Sequence, residues 1–281
     1  MILALTSHDP RVAEAARQFS TTILQVEVYV SVTDDQGRPV RDLTRDDFTV
    51  LEDEAPQTLT AFTASEFPAS VALAIDRSVS MEGSPLNVAR TAGRVFLATL
   101  KPDDRVALIA IGSEVEMLAP LSADRSTADH ALRDLDAWGV TLLNDAIVRC
   151  VDLLSRTSGR RAIVLLSDGE DRFSRATDAD VTARVRSSDV MVYPVAIAHK
   201  RSRLFAELAT LSGGRSFQLR NAKELEPTLK TIAEDLRWQY LLGYAPARPW
   251  PAGQAEWRAI TVRVQRPGLH VRARTGYFAR Q

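Results

Sequence analysis

The central part of the chain alternates between continuous apolar runs and segments in which apolar residues recur every three or four positions. The apolar runs at 71–75, 106–111, 162–166 and 190–197 have the length of strands, and their lack of polar alternation favours burial on both faces. In the segments between these runs, such as residues 87–100, the apolar residues are spaced as in amphipathic helices. This alternation predicts an α/β fold with a doubly wound, mostly parallel sheet.

Both ends of the chain have a different pattern, in which apolar and polar residues alternate. Residues 23–32 place four valines on one face of a predicted strand, and residues 257–265 repeat the alternation. Further short strands are predicted at 48–52, 58–62 and 238–244. Because a few short strands cannot enclose a core alone, we expect the two ends to combine in one smaller β-sandwich.

These patterns divide the chain into four segments. We expect a short helical or disordered leader at 1–17, the first part of the sandwich at 18–68, the α/β domain at 69–236 and the second part of the sandwich at 237–281. The α/β domain is thus predicted to be inserted into the sandwich. Such an insertion needs no long linker, because the two ends of a domain usually lie close together.

Composition and charge exclude several classes of partner and architecture. The 281 residues include 35 Lys and Arg against 36 Asp and Glu, so no basic excess indicates a nucleic-acid partner. No apolar run approaches the roughly 18 residues that span a bilayer. The single cysteine, Cys150, excludes an internal disulfide framework, and its apolar surroundings at helical spacing predict a helix-packing residue.

The beginning of the sequence lacks the pattern of an export signal. The apolar stretch at 1–5 is interrupted by polar residues from Thr6 onward and has no basic segment before it. The chain as written therefore predicts no secretory signal, and a signal removed from a longer precursor stays an alternative. The cellular location is left open.

A candidate binding site follows the apolar run at 71–75. The run ends at Asp76, and hydroxyl side chains follow at alternate positions, Ser78 and Ser80. Open α/β sheets bind ligands where a strand ends and leads into a helix. Carboxylate and hydroxyl oxygens suit Mg²⁺, Ca²⁺ or Mn²⁺, and the loop has no Cys or His to favour zinc. The loop is therefore a candidate metal site, although taken alone this pattern is more typical of a helix cap.

Two later motifs extend this loop. Asp168 ends another apolar run in Leu-Leu-Ser-Asp-Gly-Glu, and Thr141 precedes a helical pattern in Gly-Val-Thr-Leu-Leu-Asn-Asp-Ala. Together with Asp-x-Ser-x-Ser at 76–80, they resemble the von Willebrand factor A (VWA) domain and its metal-ion-dependent adhesion site (MIDAS). The resemblance covers the predicted α/β domain at 69–236 and implies a Rossmann-like fold.

The resemblance implies a ligand set and a function. Ser78, Ser80 and Thr141 would contact a divalent cation, and Asp76 and Asp168 would bind it directly or through water. Mg²⁺ is favoured, with Mn²⁺ or Ca²⁺ as alternatives. These side chains leave part of the coordination shell open, so an Asp or Glu of a protein ligand could complete it.

The segments beside the α/β domain also resemble a family, namely bacterial VWA-related proteins of the acidobacterial type. The similarity lies in residues 32–40 and 43–53 before the domain and in residues 240–244 and 266–278 after it. Two residues depart from the VWA pattern, since Val79 replaces a usual Gly and Val140 replaces a Gly or small residue. A β-branched residue adopts positive φ only at a cost, so we expect both positions to affect loop geometry.

Other charged residues close to the motifs have simpler interpretations. Glu82, Glu170 and Asp171 are expected to form a solvated acidic rim rather than a second cation site. Asp145 is predicted to accept hydrogen bonds that brace its loop. His199 has no partner in the sequence pattern and is expected to be a surface residue.

The resemblance favours a non-enzymatic, metal-dependent protein-binding module for adhesion or assembly, secreted or at the cell surface. One alternative is an intracellular assembly or scaffolding protein whose metal site is structural or vestigial. A metal-assisted hydrolase that uses Asp76 or Asp168 is less favoured. The sequence contains no Gly-x-Ser-x-Gly elbow, no phosphate-binding glycine loop and no His paired with the acidic residues.

Overall fold

The computed structural model describes residues 25–197 and 202–280 of the chain. The predicted leader at 1–17, the adjoining residues 18–24 and His199 lie outside the described residues. Within the described part, the elements comprise strands that come from the whole length of the chain and helices that come from its centre.

The strands in chain order are β1 (Val26–Asp34), β2 (Phe48–Glu52), β3 (Ala55–Gln57), β4 (Leu59–Glu66), β5 (Ala69–Asp76), β6 (Arg105–Ile111), β7 (Val115–Ser122), β8 (Arg160–Ser167), β9 (Met191–Ala196), β10 (Phe217–Gln218), β11 (Trp238–Tyr244), β12 (Glu256–Val264), β13 (Leu269–Arg272) and β14 (Gly276–Ala279). The helices are α1 (Ser84–Thr99), α2 (Ser126–Asp134), α3 (Leu143–Leu154), α4 (Asp178–Arg186), α5 (Arg203–Ser212) and α6 (Leu225–Arg237).

The central sheet has six strands in the order β10-β9-β8-β5-β6-β7. Every neighbouring pair is parallel except β6 and β7, which are antiparallel. The mostly parallel sheet predicted from the apolar runs is therefore confirmed. Because β5 pairs with both β6 and β8, the residues that follow β5 and β8 lie at one carboxyl edge of the sheet.

Helices cover both faces of the central sheet. All eight residues of β5 are buried, and successive side chains point to opposite faces. Val71, Leu73 and Ile75 belong to the core formed with α1, α2 and α6. Ala72 and Ala74 belong to the core formed with α3, α4 and α5. The continuous apolar run of β5 is thus explained by burial on two sides.

Two further sheets combine the ends of the chain, in the orders β13-β1-β11-β4 and β14-β12-β2-β3. In the first, Val28 of β1 pairs with Leu242 of β11. In the second, Val50 of β2 pairs with Val262 of β12. The inward side chains of both sheets form one buried core, which includes Val28, Val50, Leu242 and Tyr240. Each of these sheets thus contains strands from both ends of the chain. The strands β3 and β14 were not predicted, because they are too short for a clear alternation.

A buried polar network lies in this terminal core. Arg258 donates from Nη1 to Oε1 of Glu52 over 3.0 Å. Tyr244 and Tyr277 donate their hydroxyls to Oε2 of the same carboxylate over 2.8 and 2.9 Å. The carboxylate therefore has a charge partner and two further donors, as a buried ionic group requires.

The central and terminal sheets are joined by short connections. Two residues separate Glu66 at the end of β4 from Ala69 at the start of β5, and α6 ends at Arg237 directly before Trp238 of β11. Trp238 pairs with Glu66, so the two connections lie side by side. Among the described residues, no helix is long and apolar enough to cross a membrane.

Candidate metal centre

The five predicted ligand residues lie in three loops at the carboxyl edge of the central sheet. Asp76 is the last residue of β5, and Ser78 and Ser80 follow in a turn before α1. Asp168 directly follows β8, and Thr141 precedes α3. The parallel pairing of β5 with β8 places the first and second of these segments side by side.

Backbone hydrogen bonds fix the three loops against one another. Val79 donates its amide to the carbonyl of Gly139 over 3.1 Å, which joins the first loop to the Thr141 loop. Arg172 donates its amide to the carbonyl of Thr141 over 3.1 Å, which joins that loop to the segment after Asp168. The loops therefore form one connected surface.

Side-chain hydrogen bonds connect four of the predicted residues. The hydroxyls of Ser78 and Ser80 lie 3.0 Å apart, and Ser80 donates to Oδ2 of Asp168 over 2.7 Å. Oδ1 of Asp76 accepts from the amide of Ser78 over 2.9 Å. The fifth residue, Thr141, is buried, and within the described residues its hydroxyl makes no hydrogen bond. Four of the five predicted oxygen donors are thus in contact, and Thr141 is joined through its backbone.

Ser167 is a site residue that the sequence did not reveal. Its hydroxyl donates to Oδ2 of Asp76 over 2.7 Å, and the residue is completely buried. Both oxygens of Asp76 therefore have donors, which fix the orientation of the carboxylate. Ser167 ends β8 as Asp76 ends β5, so a sequence signal existed in the two polar residues that end neighbouring strands.

The two carboxylates are not neutralised by the protein. Asp76 is fully buried and Asp168 is half-buried, and neither is ion-paired with a basic side chain in the described part of the chain. Burial raises the pKa of the Asp76 carboxyl, hydrogen bonds from Ser78 and Ser167 oppose this rise, and the charge of Asp168 adds to it. Removing a carboxylate from water without a cationic partner is costly.

Arg77 is the nearest basic residue in sequence, but its charge is directed elsewhere. Its guanidinium pairs with Glu116 and Asp136 over 3.0 and 3.1 Å. It also lies over the ring of Trp138, 5.3 Å from the centroid. Arg77 therefore braces the neighbouring loops, and its charge does not neutralise Asp76.

The donor set fits a hard divalent cation. It consists of two carboxylates and three hydroxyls, the oxygen ligands that Mg²⁺, Mn²⁺ and Ca²⁺ prefer. The described residues contain no cluster of three or more His, Cys, Asp or Glu side chains suited to a metal, so a cation at this edge would depend on hydroxyl oxygens. The buried, unpaired charge of Asp76 is the feature that a cation would compensate.

Asp145 accepts hydrogen bonds that brace the loop after Asp168, as predicted. Its two carboxylate oxygens accept from the amides of Arg175 and Ala176 over 3.1 and 2.9 Å. Asp145 belongs to the first turn of α3. These bonds hold the segment after Asp168 against the helix that follows Thr141.

The predicted acidic rim is correct for two residues and wrong for the third. Glu82 and Glu170 are exposed, and Glu170 pairs with Arg172 over 3.0 Å. Asp171 instead accepts from the amide of Asn144 over 3.0 Å. Its carboxylate therefore caps the start of α3, a role that depends on loop folding and has no sequence pattern.

The two valines that depart from the family pattern are accommodated without left-handed backbone. Among the described residues, only Asp53 and Glu54 have positive φ without being glycine. The sharp turn beside Val140 is made by Gly139, with a φ of 79°. Val79 and Val140 therefore follow ordinary backbone conformations.

The fold and the site define an α/β domain with a candidate ligand-binding edge on a mixed, mostly parallel sheet. Residues 71–170 match the family model of the von Willebrand factor type A domain. This stretch begins in β5 and includes all five predicted ligand residues. This stretch of the chain is therefore similar to a VWA domain.

Curated relatives match less than half of this chain. The inter-alpha-trypsin inhibitor heavy chain H4 of Bos taurus is 29% identical over 137 residues, which are 44% of this chain and 15% of that protein. The heavy chain H1 of Sus scrofa is 28% identical over 147 residues, 48% of this chain and 16% of that protein. The matched region thus spans less than a fifth of the length of these relatives.

Solved structures share the fold at low sequence identity. A von Willebrand factor type A protein from Catenulispora acidiphila has a TM-score of 0.56 at 15% identity and covers 83% of this chain and 72% of its own. The vWF domain of the type V pili tip protein Mfa5 from Porphyromonas gingivalis has a TM-score of 0.52 at 13% identity and covers 60% and 95%. At these identities the likeness concerns the fold alone.

Proposed function

We propose that the VWA domain binds a divalent cation, Mg²⁺ in the first place, and through it binds a carboxylate of a protein partner. The observation that carries this proposal is the buried carboxylate of Asp76, which has no basic partner among the described residues and is linked to Asp168 through Ser78 and Ser80. Two carboxylates match the charge of such a cation, and hydroxyls add ligands without adding charge.

Each residue has a distinct proposed role. Ser78, Ser80 and Thr141 supply neutral oxygens, while Asp76 and Asp168 supply negative charge directly or through water. When bound, the cation supplies an electrophilic centre that attracts an acidic side chain. Ser80 is exposed and Asp168 is half-buried, so the site opens to solvent on their side. A partner would approach from that side.

We further propose a role in adhesion or assembly, at the cell surface or in a secreted protein. The fold is shared with a pili tip protein and with the PilB minor pilin from Streptococcus sanguinis, whose TM-score is 0.51. The activity proposed is binding without bond cleavage. The alternatives of a scaffolding protein with a vestigial metal site and of a metal-assisted hydrolase are outcomes of the tests below.

The domain organisation belongs to the same proposal. We propose that residues 18–68 and 237–281 form one β-sandwich into which the VWA domain at 69–236 is inserted. In support, both terminal sheets combine strands from the two ends and share one buried core. The side-by-side connections at Glu66 and Trp238 suit an insertion.

The test of metal binding is calorimetric titration of the chain with MgCl₂ and with MnCl₂. We expect binding by the wild type, and loss of binding in Asp76→Asn and in the less buried variant Ser80→Ala. Asp152→Asn, near the end of α3 opposite to Thr141, is the matched control and should bind as the wild type does. Equal binding by the wild type and both site variants would overturn the proposal.

The test of function uses the same variants. Magnesium-dependent retention of acidic peptides that is reversed by a chelator supports protein binding. Metal binding without such retention would favour the vestigial or structural alternative. Turnover in an esterase and phosphatase screen that disappears in Asp168→Ala would contradict a purely binding role.

A further inference from the structure

Exposed apolar side chains gather around the candidate metal centre. Among the described residues, five large hydrophobic side chains are strongly exposed, and four of them lie in its loops. Phe173 is 65% exposed, Val79 62%, Trp138 45% and Val140 37%, whereas Phe278 lies in β14, away from the site. We call the first four residues the apolar rim.

Two members of the apolar rim directly adjoin predicted ligands. Val79 lies between Ser78 and Ser80, and Val140 precedes Thr141. The amide of Val79 donates to the carbonyl of the residue before Val140, so the two valines belong to adjoining loops. The two exposed valines therefore lie in loops that contact each other.

The aromatic members are held by the same loop contacts. Trp138 donates its amide to the carbonyl of Arg77 over 2.7 Å, directly after Asp76. Phe173 follows Arg172, whose amide donates to the carbonyl of Thr141. Both rings are thus attached to segments that are fixed at the metal centre.

Trp138 is also fixed through its side chain. The guanidinium of Arg77 lies over its ring and is anchored by ion pairs with Glu116 and Asp136. A ring held on an anchored cation loses little conformational freedom when it is covered by another molecule. The rim therefore contains a preorganised aromatic surface.

The combination of charge and apolar surface indicates the chemistry of a partner. Single exposed hydrophobic residues are ordinary, but several in adjoining loops mark an interaction surface. Apolar contacts around an ionic contact exclude water, which strengthens the attraction between the charges. A fully polar acidic segment would leave the apolar rim exposed to water, whereas an acidic residue with apolar neighbours would cover both parts.

We propose that the partner is a protein segment in which an Asp or Glu is flanked by aromatic or branched aliphatic residues. Its carboxylate faces the metal centre, and its flanking side chains pack on Val79, Trp138, Val140 and Phe173. This inference rests on the proposed function, because it takes a metal-dependent carboxylate contact as its centre. It adds which residues beside the Asp or Glu of the partner the site prefers.

The experiment uses the full chain and labelled twelve-residue peptides with one central Glu. The residues on both sides of the Glu are Ser in one peptide, Leu in a second, Phe in a third and Lys in a fourth. With Mg²⁺ present, we expect the Leu and Phe peptides to bind at least about tenfold more tightly than the Ser peptide, because each buries apolar surface on the rim.

Substitution separates the rim from the metal centre. Phe173→Ser combined with Val140→Ser should reduce the preference for apolar flanks to about twofold or less while calorimetric Mg²⁺ binding stays as in the wild type. Phe278→Ser is the matched control, since it removes an exposed aromatic side chain far from the rim and should keep the preference.

The outcomes distinguish this inference from the function on which it rests. Magnesium-dependent binding with no preference among flanks, or a preference that survives the double substitution, overturns the inference alone. Absence of any magnesium-dependent peptide binding counts against both. Magnesium-dependent dimerisation of the free chain that is lost in the double variant would mean that a second copy covers the rim, which contradicts the proposed partner.

Discussion

Arg258 and Glu52 form an ion pair inside the terminal core, with Nη1 and Oε1 3.0 Å apart and side chains only 0% and 3% exposed. Replacing one charge leaves the other buried without a counter-ion, which costs about 3–5 kcal/mol. We therefore expect Glu52→Gln to lower the free energy of unfolding by about 3 kcal/mol. Urea unfolding followed by tryptophan fluorescence measures this change, since Trp250 packs on Tyr277 in the same network.

A surface pair provides the control for that measurement. Asp152 and Arg184 are ion-paired with side chains 42% and 48% exposed. Exposed pairs of this kind contribute at most about 1 kcal/mol. Equal destabilisation by Asp152→Asn and Glu52→Gln would show that burial does not determine the strength of the Arg258 pair.

Ser167 should act as a positioning residue for the proposed metal centre. Ser167→Ala removes the hydroxyl that orients Asp76, and loss of such an outer contact lowers metal affinity by about 10- to 100-fold. Calorimetric titration with Mg²⁺ gives the dissociation constants of both proteins. Ser188→Ala, beyond the end of α4, should leave the affinity unchanged, and an unchanged affinity in Ser167→Ala would refute the role.

Gly139 should be irreplaceable in its loop. Its φ is +79°, and an added Cβ would lie 2.6 Å from the amide nitrogen of Ser113. We expect Gly139→Ala to destabilise the protein by more than about 2 kcal/mol and to weaken Mg²⁺ binding. Gly159 has a φ of +75° and no atoms within 4 Å of the added Cβ, so Gly159→Ala should cost only about 1 kcal/mol and leave metal binding intact. Similar effects of both substitutions on denaturant unfolding would contradict this steric account.

Cys150 should be chemically inert in the folded protein. It is completely buried among the residues of α3 and β5, and burial raises the pKa of its thiol to about 12. The thiolate is the reactive form, so a disulfide reagent at pH 8 should label the native protein far more slowly than the urea-unfolded protein. Absorbance of the released thiolate follows the reaction, and equally rapid labelling of both states would rule out the buried position.

The succession of strands and helices in the central domain was predictable, because each element has its own local pattern of apolar residues. A strand buried on two faces must be apolar throughout, and parallel strands end at one edge, so Asp76 and Asp168 could be placed together from the sequence. The hydrogen bond from Ser80 to Asp168 is a consequence of that placement. Ser167 was missed because its role depends on which strand lies beside β8.

The remaining features depend on long-range pairing. Alternation predicted that residues 23–32 and 238–244 form strands, but no local signal specifies that β1 lies between β11 and β13. Asp171 was assigned to a solvated rim because carboxylates are usually exposed, and only the folded loop directs it to the amide of Asn144. The periodicity of the sequence therefore predicts neither which strands lie side by side nor which contacts form inside a folded loop.

The paired connections at Glu66 and Trp238 have a mechanical consequence. β4 and β11 are antiparallel neighbours, and the central domain is attached to the same end of both. A tensile force applied at the carboxyl edge of the central sheet would reach the terminal sheets through two strands pulled from one end in one direction. The hydrogen bonds between these two strands would then not be peeled apart one at a time, and the load would be divided between them.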